Sequence, residues 1–199
     1  MINLSSRKPE EVAMRTMKRV LAFLVLAAFS IFVWSDQTKP ELDGLFRALQ
    51  QSDDLIKISS IQNKIWLHWY ELPEGSRALQ PIFDQGMRAL HLGQPQTAID
   101  QFTRVIEATP QFAEGWNRRA TAYFMVGDFE ASLRDIQQTL ALEPRHFGAL
   151  SGLSMILENT LQYDKAIQAE KLLLELMPEN VLIKERIQLL RTQSLESRI

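Results

Sequence analysis

The chain has 199 residues, 46% of them hydrophobic, enough for one domain of ordinary size with a real core. A net charge of −2 gives no general attraction to nucleic acid or anionic lipid. The absence of cysteine excludes a disulfide framework, Cys-liganded zinc, thiol catalysis and a lipidated cysteine.

Charge is unevenly placed. Residues 1–35 carry five Lys/Arg against two Asp/Glu, a net of +3, whereas 79–199 carry twelve against fifteen, a net of −3. Val20 to Trp34 (VLAFLVLAAFSIFVW) is an apolar run with Lys18 and Arg19 at its front and Asp36 behind. It is short for a spanning helix, which needs about 20 residues, and of ordinary length for the apolar part of a signal peptide. Val33 and Ser35 supply small residues where a signal peptidase reads, giving a cut before Asp36; an uncleaved anchor is equally compatible. Met17 opens MKRVLAFLVLAAF, a more typical signal than the full N-terminus, which leaves the start at Met1 or Met17 open. A buried core helix fits less well, because the run is apolar on all faces and basic in front. By the positive-inside rule the rest of the chain crosses the membrane. The expectation is export, with 1–35 a signal peptide or N-terminal membrane anchor in contact with the membrane.

Residues 40–51 and 54–71 read as two helices, together an N-terminal hairpin over 40–72. Leu42, Leu45, Phe46 and Leu49 form one stripe; Ile58, Ile61, Ile65 and Trp69 form another. Asp53 and Asp54 fit a helix start, where carboxylates meet the positive dipole end, better than a metal site. The hairpin is expected to stack on whatever follows the linker Pro73–Ser76, with Pro81 in the first turn of the next helix.

Pro110, Pro144 and Pro178 then recur every 34 residues. Placing each proline at position 32 gives units 79–112, 113–146 and 147–180. Position 8 holds Gly86, Ala120 and Ser154, and position 20 holds Ala98, Ser132 and Ala166. All are small, as two closely crossing helices require; with roughly one residue in four small, chance gives this in about one register in four thousand. Trp116, Leu150, Tyr123, Leu157, Phe102 and Ile136 supply bulk at inner positions, and each proline ends a second helix. Gly93 and Gly127 mark the turns between paired helices, where the third unit has Leu161; it also has Glu170 where the others have Phe102 and Ile136. Ile183, Ile187 and Leu190 make one apolar stripe, so 181–194 reads as a capping helix over the last unit.

The period and its small-residue positions, with AIDQFTRVIEATP (98–110) and WNRRATAYFMVGDFEASLRDIQQTLALEP (116–144), resemble the tetratricopeptide repeat (TPR) family. The resemblance implies an all-α TPR solenoid of three helix-turn-helix repeats with an N-terminal helical hairpin, stacked on the first repeat, and a C-terminal capping helix. The pieces at 42–49, 65–69 and 116–153 are similar to a group of short exported TPR proteins of Gram-negative, alphaproteobacterial type. That group carries no established activity. The implied location is periplasmic, either released after cleavage near Ser35 or tethered to the inner membrane by residues 20–34.

Chemistry is hard to find. His68, His91 and His146 lack a second ligand at i+3 or i+4, and no HExxH, Walker, GxSxG or GxGxxG pattern occurs. His68 reads as an interface or surface residue, His146 as an inter-repeat loop residue, and His91 as facing the concave surface. The tryptophans read as core and anchor residues, since no basic patch surrounds them as a nucleic-acid platform would need. No enzyme activity, cofactor, metal or nucleic acid is expected.

In TPR arrays positions 2, 5, 6, 9, 12 and 13 of the first helix line the concave groove. In the first unit these include Phe83, Met87, Leu90 and His91, with Asp84. The second contributes Asn117, Arg118, Thr121, Phe124 and Met125, with Glu114; the third contributes Ser151, Met155 and Glu158, with Asn159. The mixture suits a helix or extended peptide, apolar groups giving area and polar groups fixing register. The carboxylate-gripping mode of some TPR proteins is not implied, because Asn117 stands at position 5 and position 6 holds Asp84, Arg118 and Gly152. Met87, Phe124 and Met155 are also compatible with packing against a neighbouring repeat or the hairpin.

The expected function is a non-enzymatic protein-protein interaction scaffold or adaptor at the periplasmic face of the inner membrane, with a protein or peptide partner. The alternative is an envelope assembly factor or chaperone, as in cytochrome c maturation. Self-association through the hairpin or groove is a further reading.

Overall fold

A computed structural model describes residues 40–197 of the chain. The apolar run 20–34, the two candidate starts and the cleavage position lie outside the described residues. Nine α-helices and one short 3-10 turn follow one another, with no strand among the described residues.

Helix α1 (Pro40–Gln50) begins on a proline and carries Glu41 and Asp43 in its first turn, where carboxylates favour the dipole. Helix α2 (Leu55–Tyr70) starts at Asp54, whose Oδ1 accepts from the backbone N–H of Ile56 at 2.7 Å. Asp54 is thus a helix cap. The 3-10 turn Arg77–Leu79 leads into α3 (Gln80–His91), which pairs with α4 (Pro95–Ala108). The second pair is α5 (Ala113–Met125) with α6 (Phe129–Leu142), and the third is α7 (Phe147–Asn159) with α8 (Tyr163–Leu176). Helix α9 (Val181–Glu196) follows, capped by Asn180 Oδ1, and buries Ile183, Ile187 and Leu190. Consecutive helices pack against one another throughout α3–α9, which is the stacking pattern of a solenoid.

The small residues sit where helices cross. Ala98, Ala120, Ser132, Ser154 and Ala166 are all buried. Ser132 Oγ donates to the Ala120 carbonyl at 2.8 Å, so a hydroxyl at that crossing stays satisfied. Glu170, the irregular residue of the third repeat, is buried and accepts from Ser154 Oγ at 2.6 Å and from Arg186 Nε at 3.3 Å. An ion pair therefore replaces an apolar side chain and ties α8 to the capping helix.

The hairpin does not stack on the first repeat. Leu42, Phe46, Leu49, Ile58, Ile65 and Trp69 share one core cluster with Phe147, Leu150 and Leu153 of the third repeat. The first repeat has its own cluster around Phe83, Phe102 and Phe112, reached only by Tyr70 and Leu72 at the end of the hairpin. Gly148 explains the destination. It occupies position 2 of the third unit, where the second has Glu114, and a Cβ there would lie 2.6 Å from the Trp66 ring. Only a side chain absent at that point admits the indole.

Candidate protein-binding groove

Helix α2 lies along one side of the concave face. Gln62, Trp66 and Tyr70, spaced by four, share one helical face. Gln62 Nε2 reaches Met177 Sδ at 3.3 Å at the end of the third repeat. Trp66 meets Phe147 edge-on at 5.1 Å, and Tyr70 meets Phe83 of the first repeat at 6.4 Å. From its N-terminal to its C-terminal end the helix thus passes from the third repeat toward the first, touching the first only through Tyr70 at its last turn.

A buried polar cluster fixes it there. The Glu114 carboxylate is 0% exposed and accepts from Asn117 Nδ2 at 3.0 Å, from His146 Nε2 at 3.0 Å and from Arg118 Nε. His146 Nδ1 lies 3.2 Å from the backbone N–H of Ala149, which can only donate. Nδ1 therefore accepts and the ring proton sits on Nε2, donated to Glu114. Arg118 also donates to the Tyr70 hydroxyl and stacks 5.0 Å from the centre of the Trp66 ring. Burial pushes the Tyr70 phenol above its ordinary range, against the opposing charge of Arg118. A second clamp holds α1: Arg145 bonds Glu143 and Asp43 and lies 4.3 Å from the centre of the Phe46 ring. Burial works against the charge of Arg145, yet the bonds and charges of Glu143 and Asp43 hold it above its usual range.

This arrangement redistributes the expected groove residues. Phe83 is buried between Phe102 and Phe112 at 5.6 and 5.4 Å and is core rather than groove. Asn117 is buried with its amide nitrogen donated to Glu114 while it lines the smaller cavity between the second and third repeats, and Arg118 is committed to the α2 clamp. Met87 and Leu90 are partly buried against the first-repeat cluster. His91 is exposed with Nδ1 3.0 Å from the Met87 carbonyl, and Met125 is exposed on the second repeat. Phe124 is half-buried, its ring 5.5 Å from that of Phe129.

The remaining residues gather. Thr121, Phe124, Ser151 and Met155 line a cavity of about 160 Å³ between the second and third repeats. Ser151, Met155 and Glu158 line a larger one of about 460 Å³ that continues to the capping helix. Met155, 44% exposed, stands on the wall between them. Sequence reading missed Trp66 and Tyr70 as the residues that close the other side of the groove. The signal available was the pair Glu114 and Arg118 at i and i+4 with Gly148 one repeat on. Among the described residues, no group of His, Asp or Glu is placed to hold a metal.

A tetratricopeptide repeat family model matches residues 83–131 and 120–181. A TPR repeat-containing protein of Rhizobium etli is 35% identical over 156 residues, covering 78% of this chain and 76% of that protein. The chain belongs to the TPR family. This TPR protein also resembles solved TPR structures. The first TPR domain of human RPAP3 superposes with a TM-score of 0.56 at 24% identity, covering 62% of this chain and 96% of that one. The TPR2AB domain of yeast Sti1, solved in complex with pHSP90, gives a TM-score of 0.51 at 16% identity, covering 77% and 61%. At these identities the likeness concerns the fold. TPR proteins are generally protein-interaction scaffolds.

Proposed function

We propose that the protein is a non-enzymatic scaffold or adaptor that binds a helix or peptide of another protein in the open half of its concave groove. One observation carries the reading: α2 already occupies one side of that face as a helix, and the side it leaves open exposes Thr121, Ser151 and Met155 around two cavities. The face already holds one helix of the chain itself, and α2 reaches the larger cavity only through Gln62 at its rim. The apolar run 20–34 behind Lys18 and Arg19 supports placing this groove at the periplasmic face of the inner membrane.

Replacing exposed Ser151 with Arg and Met155 with Asp tests the groove, because both changes act on solvent-facing positions and should leave helicity and melting unchanged. Partner capture is expected to be abolished; intact capture in a folded variant would contradict the assignment. Protease treatment of spheroplasts tests the location, digestion of residues 40–197 from outside being the expected result and full protection the contrary one.

A further inference from the structure

We infer that the groove selects a segment in which an aliphatic side chain has a lysine or arginine within four residues of it, before or after. The inference rests on the groove reading above and adds the chemistry of the partner. The two cavities differ in kind. The smaller one is lined by no charged side chain; Ala120, Phe124, Ile136 and Met155 give it an apolar interior, and Gly152 keeps it open. Its volume of about 160 Å³ suits one aliphatic side chain. The larger cavity contains three charged side chains, Glu158, Glu170 and Arg186. Arg186 Nη2 donates to Glu158 and its Nε to Glu170, so two carboxylates share one guanidinium and the cavity keeps an uncompensated negative charge.

A concave site with a net charge of −1 attracts the opposite charge, and its low-dielectric walls strengthen the effect. Asn159 strengthens the preference: its amide donates to the Met155 carbonyl at 2.8 Å, which leaves the side-chain oxygen to accept from an ammonium or guanidinium. The cavities share Ser151 and Met155 as their common wall, so the two anchors of a partner are neighbours. One helical turn, about 5.4 Å, or two extended residues, about 6.8 Å, span such a wall, which sets the spacing within four residues. An acidic segment would bring like charge to Glu158 and is disfavoured.

The test is selection of a random peptide library on phage against the full-length protein, in parallel with its Glu158→Gln variant. Glu158→Gln leaves Glu170 matched one-to-one with Arg186 and neutralises the cavity. The expected outcome for the natural protein is enrichment of Val, Leu or Ile with Lys or Arg one to four residues away on either side. The basic preference should fall at least threefold against Glu158→Gln while the aliphatic one persists. Enriched peptides that compete through Met155 yet lack basic residues, or carry acidic ones, would overturn the inference and leave groove binding standing. Enriched peptides whose binding is indifferent to Met155→Asp would overturn both.

Discussion

The indole of Trp69 lies flat on the imidazole of His146, ring centroids 4.0 Å apart and planes inclined by 11°. Neither side chain has measurable exposure, and the pair joins the hairpin to the loop that begins the third repeat. Trp69→Ala should therefore cost about 3–5 kcal/mol, the cost of emptying a large aromatic site. Urea denaturation of the full chain measures it. A loss below about 1 kcal/mol would show that the hairpin is peripheral to the core rather than part of it.

Arg118 is the only side chain that bonds both Glu114 on its own helix and Tyr70 on the hairpin among the described residues. Arg118→Ala strands the buried Glu114 carboxylate with two remaining donors and should destabilise by about 3–5 kcal/mol. A Glu114→Gln change added to it should recover part of that loss, since no charge is then left buried. Equal stability of the single and double variants would refute the charge argument.

Leu161 has a φ of 58° where Gly93 and Gly127 have 65° and 77° in the equivalent turns. The left-handed region costs a residue with a Cβ about 1–2 kcal/mol, and at 70% exposure the side chain returns little by burial. Leu161→Gly should raise the melting temperature, the gain being about 1 kcal/mol. A fall would mean that the leucine makes contacts worth more than its backbone strain.

Arg186 fastens the capping helix through Glu170, buried on α8, and Glu158 on α7. Its partial exposure moderates the effect, so Arg186→Ala should cost about 1–2 kcal/mol. Hydrogen exchange should quicken first in 181–197. Uniform exchange across the chain would place the cost elsewhere.

Much of the solenoid was legible in one number. A period of 34 with a proline at its end and small residues at positions 8 and 20 constrains helix pairing directly, because each feature acts within a repeat or between neighbours. The hairpin was legible as two helices with apolar stripes, but a stripe names what is buried and not what buries it. Its docking on the third repeat depends on Gly148 and His146, far away in sequence. Repeat position alone put Phe83 and Arg118 on the groove: Phe102 and Phe112 of its own repeat bury the first, and the docked hairpin engages the second through Tyr70. Leu161 and Glu170 are the two places where the third unit departs from the pattern of the others. The first is a local strain, while the second is a polar anchor matched by Arg186, a residue outside the repeat.

The most direct test of the groove is a photoreactive residue at position 124, in living cells, with mass spectrometry of whatever it captures. Phe124 lines the smaller cavity, and its ring packs 5.5 Å from that of Phe129 in its own repeat. One dominant foreign protein, lost when Met155 is changed to Asp, is the expected result. Crosslinks confined to residues 40–72 would mean that the hairpin fills the whole groove, and the binding site would have to lie on another surface.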